Sequence, residues 1–201
     1  MNSKQAQTFS KLVLGISALT FIYIFFKDIS IINRRHISTD DGVYINSTSA
    51  SPYIKKMAIE LTKNCKTDFC RVQAILDYCT NIPYKVNNFQ AHSPQKTIQM
   101  NFGDCDDKSN LLISLLHELK IESYFVLVPK HIFVIVALDE IHLKKFRKGL
   151  YVNAKKFYIL ESTAKNSPIG FPLQYNLEEI KDIIEPFENK KIGINNLEWK
   201  L

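Results

Sequence analysis

The chain has 201 residues, a length for one domain and an appendage rather than two full domains. Its residues are 46% apolar and 23% charged, an ordinary globular balance that excludes a mainly disordered chain, and four cysteines are too few for a disulfide-dense scaffold. The net charge is +6, but residues 1–35 hold Lys4, Lys11, Lys27, Arg34 and Arg35 against Asp28, so the remainder is nearly balanced and leaves no basic footprint for nucleic acid.

Leu12 to Phe26 is an uncharged run, LVLGISALTFIYIFF, and extending it back to Phe9 brings it within the length that crosses a bilayer, with Lys11 able to snorkel. Its end, Phe25-Phe26-Lys27-Asp28, lacks the small residues of a cleavage site. The expectation is an uncleaved, single-pass membrane anchor over 1–35. Positive charges on its two sides are almost tied, so the positive-inside rule gives little orientation. Cys65 and Cys70 bracket a short turn and are close enough to bridge. A disulfide there would belong to an oxidising compartment, so the domain is expected to be extracytoplasmic.

Residues 36–51 are rich in Ser, Thr, Asn and Asp without periodicity and read as a linker, which leaves 52–201 as the domain. Pro52 to Thr62 and a segment from Val72 to Cys79 carry apolar residues at helical spacing, forming an αα-hairpin that ends before Ile82-Pro83. Asn87 to Phe102 is polar and irregular. Next comes a helix with Asp106 and Asp107 in its first turn and a face of Leu111, Leu112, Leu115, Leu116 and Leu119. Tyr124–Val128, His131–Leu138 and Phe157–Leu160 read as strands, the second nearly all apolar and therefore central. Asp139–Lys155 reads as a charged connection, and Leu177–Ile184 as a short helix. Helices followed by a run of strands make the fold class α+β, with N-terminal helices packed on an antiparallel sheet.

Three residues are candidates for the chemistry, each with a plain structural role as the alternative. Cys105 lies where a loop gives way to the Leu-rich helix, in Gly103-Asp104-Cys105-Asp106-Asp107, and a helix N-terminus favours thiolate over thiol. A thiol nucleophile needs a base. His131 opens an apolar strand, whereas His36, His92, His117 and His142 fall in less fixed contexts. Glu161 ends the next strand, so an antiparallel pairing would set its carboxylate beside His131 Nδ1. The Cys105 backbone N–H is a candidate oxyanion donor, with Gln99 or Gln95 as candidates for a second. Adjacent aspartates seldom all face one ion and no paired Cys or His spacing occurs, so no metal is expected. Asp106 and Asp107 read as helix N-terminal charges, with attraction of a cationic substrate as the sharper alternative. Lys144, Lys145, Arg147 and Lys148 read as a solvated turn, with contact to anionic lipid as the alternative.

The order Cys, His, acid over residues 52–172 resembles the transglutaminase-like branch of the papain-like thiol enzymes. Gly103-Asp104-Cys105-Asp106-Asp107-Lys108-Ser109 is similar to the nucleophile motif of its bacterial, archaeal and phage members. Pro129 to Val134 resembles the histidine strand, and Tyr158 to Thr163 the strand of the acid. The resemblance implies Cys105 as nucleophile, His131 as general base and acid, and Glu161 as orienter. It also implies attack on an amide of a protein or peptide through a thioester, resolved by water or by an amine. Hydrolysis is expected, because water is always present and no acceptor site is visible. Many members carry Asp where this chain has Glu161, an aromatic often follows their histidine where Ile132 stands here, and animal transglutaminases place Gln where Asp104 stands. Their calcium-binding regions have no counterpart, so neither calcium nor another cofactor is expected. A membrane-tethered binding module that retains the fold is the alternative reading.

Overall fold

Val, Ile, Leu and Phe crowd three strands, β3 (Ser123–Val128), β4 (His131–Val136) and β6 (Lys155–Leu160), and such runs are stable only where both faces of a sheet are covered. The computed structural model describes residues 3–32, 35–39, 42–87 and 91–201. Its contacts divide the chain into two units, Met1–Arg35 and His36–Leu201.

The first unit is a helix, α1 (Ser3–Ile32). Within it Gln7–Phe26 is a 20-residue segment of mean hydropathy 1.9, long and apolar enough to cross a membrane.

The second unit is α+β. Its strands comprise β1 (Arg35–Thr39), β2 (Gly42–Asn46), β3, β4, β5 (Gly149–Val152), β6, β7 (Asp182–Glu185), β8 (Lys190–Lys191) and β9 (Leu197–Lys200). Among the described residues β1 and β2 make a two-stranded sheet, and the rest form an antiparallel sheet in the order β8-β7-β3-β4-β6-β5-β9. Helices α2 (Pro52–Thr62), α3 (Asp68–Asn81), α4 (Pro94–Met100) and α5 (Cys105–Glu118) precede it, and α6 (Ile141–Phe146) interrupts it. Alternate residues of the central strands point to opposite cores. Val134 and Leu160 join Ile75, Leu111 and Leu115 on the helical side, while Phe133, Ile135 and Ile159 join Leu150 and Ile183 on the other.

The first four helices of this unit start in the same way. Ser51, Thr67, Ser93 and Asp104 stand at their N-caps with side chains accepting a backbone N–H, and proline opens α2 and α4. Between α2 and α3, Cys65 and Cys70 form a disulfide with Cα atoms 5.4 Å apart.

Four segments differ from the sequence reading. The linker expected over 36–51 is not irregular: it holds strand residues and then runs along α5. Tyr44 Oη donates to Asn110 Oδ1 (2.9 Å), the Ser49 N–H to Ser114 Oγ (3.2 Å) and the Ser51 N–H to Glu118 Oε1 (3.1 Å). Residues 110, 114 and 118 recur every four positions, so they form one polar stripe on the helix. The irregular stretch 87–102 contains α4. The charged connection contains α6 and β5. The helix expected over Leu177–Ile184 is a single 3-10 turn, Leu177–Glu179, followed by β7, because pairing with β3 buries Ile183 and Ile184 on opposite faces.

Candidate active site

The segment before α5 is held by its backbone. Gly103 makes a parallel bridge with Tyr84: its N–H donates to the Pro83 carbonyl (3.2 Å) and its carbonyl accepts from the Lys85 N–H (3.1 Å). A Cβ at this position would lie 2.6 Å from Asp107 Cβ, so only glycine fits. Asp104 caps the helix: Oδ1 accepts the Asp107 N–H (3.3 Å) and Oδ2 the Asn87 N–H (3.0 Å). Asp107 is buried and accepts the His92 N–H. Lys108 is also buried, and its Nζ donates to the Ile82 carbonyl (2.8 Å). These contacts fix Cys105 as the first residue of α5.

His131 and Glu161 meet through sheet register. β4 and β6 are antiparallel with Val134 opposite Leu160, so the start of β4 lies beside the residues just after β6. His131 Nε2 is 2.8 Å from Glu161 Oε2. The other carboxylate oxygen accepts the Thr163 N–H (2.9 Å) and hydroxyl (2.5 Å). Burial raises the Glu161 pKa, but the hydrogen bond and charge of His131 and the two bonds from Thr163 outweigh it, so the group stays below its ordinary value and ionised. The contact uses Nε2, not the Nδ1 expected from sequence. With Nε2–H donating to the carboxylate, Nδ1 is the nitrogen left with a lone pair to accept a proton.

Ser109 ties the helix to that pair. It lies one turn beyond Cys105 on the same face of α5. Its hydroxyl is 3.4 Å from the Ile132 carbonyl and 3.3 Å from Ser162 Oγ, the neighbours of His131 and Glu161. Asp106 feels the charge of His131, and the charges of Glu161 and Cys105 both act on Tyr175. Tyr175 stacks on the His131 ring, with centroids 6.1 Å apart and planes within 18°.

The described hydrogen bond of the Cys105 thiol is to Asp106 Oδ1, at 3.5 Å. Burial first, then the charges of Asp106 and Asp104, push this thiol up to about 12. That reverses the expectation of a thiol lowered by the helix N-terminus: burial and then the two neighbouring carboxylates outweigh the helix end. Asp106 is itself pushed up to about 6, by burial and by Asp104. Cys79, the other free thiol among the described residues, is fully buried. Gln99 and Gln95 lie exposed on α4, and none of the described contacts joins either to Cys105, His131 or Glu161. Tyr175 and the Asp106–thiol bond were not foreseen, since nothing local in the sequence marks either. Among the described residues no three His, Cys, Asp or Glu side chains gather to hold a metal ion.

Residues 55–133 match the family model of the transglutaminase-like superfamily. Over these residues the domain is similar to that superfamily. The matched stretch runs from α2 into β4, so it contains Cys105 and His131, while Glu161 lies beyond it. Among solved structures, the domain is similar to a candidate cysteine protease from Cytophaga hutchinsonii, at 18% identity and a TM-score of 0.41 over 76% of this chain and 53% of that one. It is also similar to a candidate protease from Parabacteroides distasonis, at 13% identity and a TM-score of 0.46 over 73% of this chain and 28% of that one. The chain thus spans about half the length of the first and little more than a quarter of the second. No curated protein matches the chain.

Proposed function

We propose that this transglutaminase-like domain is a thiol enzyme acting on amide bonds of a protein or peptide, with Cys105, His131 and Glu161 as its triad, held at a membrane by α1. The observation that carries the reading is the 2.8 Å contact of His131 Nε2 with an ionised Glu161, which leaves Nδ1 as a base on an imidazole of fixed orientation. His131 takes the Cys105 proton as sulfur attacks the carbonyl carbon, and the Cys105 backbone N–H at the helix start receives the developing oxyanion. Collapse breaks the C–N bond, and the leaving amine takes the proton from the imidazolium. The thioester is then cleaved by water, with His131 again as base, giving a carboxylic acid and the free thiol. An amine in place of water would give a new amide, and hydrolysis is the favoured outcome because water needs no binding site. The Cys65–Cys70 disulfide supports an extracytoplasmic domain.

One observation favours a second reading. A thiol held by Asp106 and pushed up to about 12 is not a resting nucleophile, as expected of a tethered binding module. The two separate by intact-mass analysis of the chain after incubation with a mixed peptide digest. The enzyme reading expects an acyl adduct on Cys105, absent from Cys105→Ala and His131→Ala and reduced about a hundredfold in rate by Glu161→Gln. No adduct in any digest, with Cys105→Ala retaining the biological activity, would establish the binding module.

A further inference from the structure

Between β4 and β5 the chain leaves the sheet, and residues 139–148 of that excursion form and flank α6. One residue pins this excursion to the core: Leu143, 3% exposed. At 100° per residue, Ile141 and Lys145 lie opposite Leu143, while Phe146 lies only 60° from Leu143, so Ile141, Lys145, His142 and Phe146 follow one another around one half of α6 and Leu143 and Lys144 occupy the other. Ile141 is 79% exposed and Phe146 59%, so a six-residue helix turns its two remaining large apolar side chains to solvent. His142 packs on the Phe146 ring at 4.8 Å between centroids, and Lys145 Nζ lies 5.3 Å above it.

The surrounding charge is mainly positive, with Asp139, Glu140 and the Glu198 that pairs with Lys200 as its acidic members. Lys144 pairs with Asp139, but Lys145, Arg147 and Lys148 enter none of the described ion pairs. Lys156 Nζ donates to the Arg147 carbonyl (3.1 Å), and Lys156 and Lys200 both lie over the Tyr151 ring. Two exposed bulky apolar side chains at the edges of a face that carries Lys145 and His142 between them are not the pattern of a solvated turn, which would leave polar groups alone outermost. Lysine-rich patches are also depleted from protein–protein interfaces. Bulky apolar tips with long basic side chains beside them suit the headgroup zone of a bilayer, where the tips enter the acyl boundary and the ammonium groups meet phosphates.

We infer that residues 141–148 dock on an anionic phospholipid surface, seating Ile141 and Phe146 at the acyl boundary and Lys145, Arg147 and Lys148 on headgroup phosphates. The inference rests on the proposed membrane anchor: the domain begins four positions after the end of α1, so a bilayer is always within reach and a weak surface suffices.

The test uses the full chain carrying Trp199→Phe and Phe146→Trp, mixed into vesicles of phosphatidylcholine with brominated acyl chains, with or without phosphatidylglycerol. Both leaflets carry the quencher, so insertion direction does not matter. The expected result is loss of indole emission in phosphatidylglycerol vesicles only. Restoration is expected in about 1 M salt and with Lys145, Arg147 and Lys148 changed to Ser, each cation removed weakening docking about fivefold. Equal quenching in neutral vesicles overturns the headgroup assignment. No quenching in anionic vesicles overturns the docking. A response to a soluble oligonucleotide in detergent as large as that to anionic lipid reassigns the patch to nucleic acid. Flotation of the same samples reports the anchor separately: a chain that floats unquenched keeps its anchor and loses this surface. A chain that does not float loses the anchor, and quenching by added anionic vesicles still decides the surface.

Discussion

At Cys105 two opposing influences meet. The start of α5 favours a negative sulfur, while burial and then the charges of Asp106 and Asp104 oppose it, and Asp106 takes the thiol hydrogen bond. Asp106→Asn removes one charge and replaces the carboxylate acceptor with a weaker amide oxygen, so the thiol pKa falls toward its ordinary value while burial still holds it up. Alkylation of Cys105 by iodoacetamide at pH 7.5 should accelerate about tenfold or more, one pKa unit being a factor of ten in thiolate. An unchanged rate would mean that Asp106 does not govern the sulfur. The same substitution has a pH-dependent effect on stability. Asp106 has a folded pKa near 6, above its unfolded value, so the folded state prefers it protonated. Its contribution is fully present below about pH 4 and is lost as pH rises through about 6. Asp106→Asn should therefore stabilise the domain by on the order of 1–2 kcal/mol at pH 7.5 and not at pH 4, since about two pKa units are relieved and solvent screens part of the effect. Urea denaturation at the two pH values reads this, and an equal change at both would show that the charge is not the cause.

The polar stripe of α5 decides whether residues 44–51 belong to the domain. Asn110 Oδ1 accepts from both Tyr44 Oη and the Ser47 N–H, in a buried position. Asn110→Ala leaves both donors unpaired and should cost about 2–3 kcal/mol, whereas Tyr44→Phe removes one donor cleanly and should cost about 1 kcal/mol, measured by urea denaturation. Near-equal costs would mean that the stripe is not what holds the strap. The sequence made the strands legible but not the strap, for a physical reason. β3 and β4 are apolar on both faces, so their composition alone signals a covered sheet. Residues 44–51 are ordered by partners more than sixty positions away, and Ser, Thr and Asn carry no local mark of that. Leu177–Ile184 misled in the opposite sense: its apolar spacing fits a helix, yet two covered faces turn Ile183-Ile184 into a strand. At the candidate site, the juxtaposition of His131 and Glu161 follows from strand order. The choice of Nε2 depends on how the ring is turned, and the stacking of Tyr175 on how the chain returns after β6. No residue spacing encodes either.

Across the whole molecule the disulfide and the apolar helix bear on one question, where the domain resides. Among the described residues Cys65 and Cys70 are bonded, and Cys79 and Cys105 are free. The bridge closes a loop of only five positions, so its loss costs about 2 kcal/mol by loop entropy, enough to lower the melting temperature by a few degrees without unfolding a domain of this size. A reducing compartment would therefore tolerate the domain but leave all four thiols free, since glutathione keeps such pairs reduced. The state of the pair in living cells thus reports the compartment. Cells are quenched in acid to stop thiol exchange, denatured and treated with a mass-tagged maleimide, with and without prior reduction. For a domain anchored by α1 outside the reducing cytoplasm, the full chain should gain two tags before reduction and four after it. Peptide mapping should place the first two on Cys79 and Cys105. Four tags without reduction would put the domain in the cytoplasm, and a reaction on extracytoplasmic proteins would have to be abandoned with it.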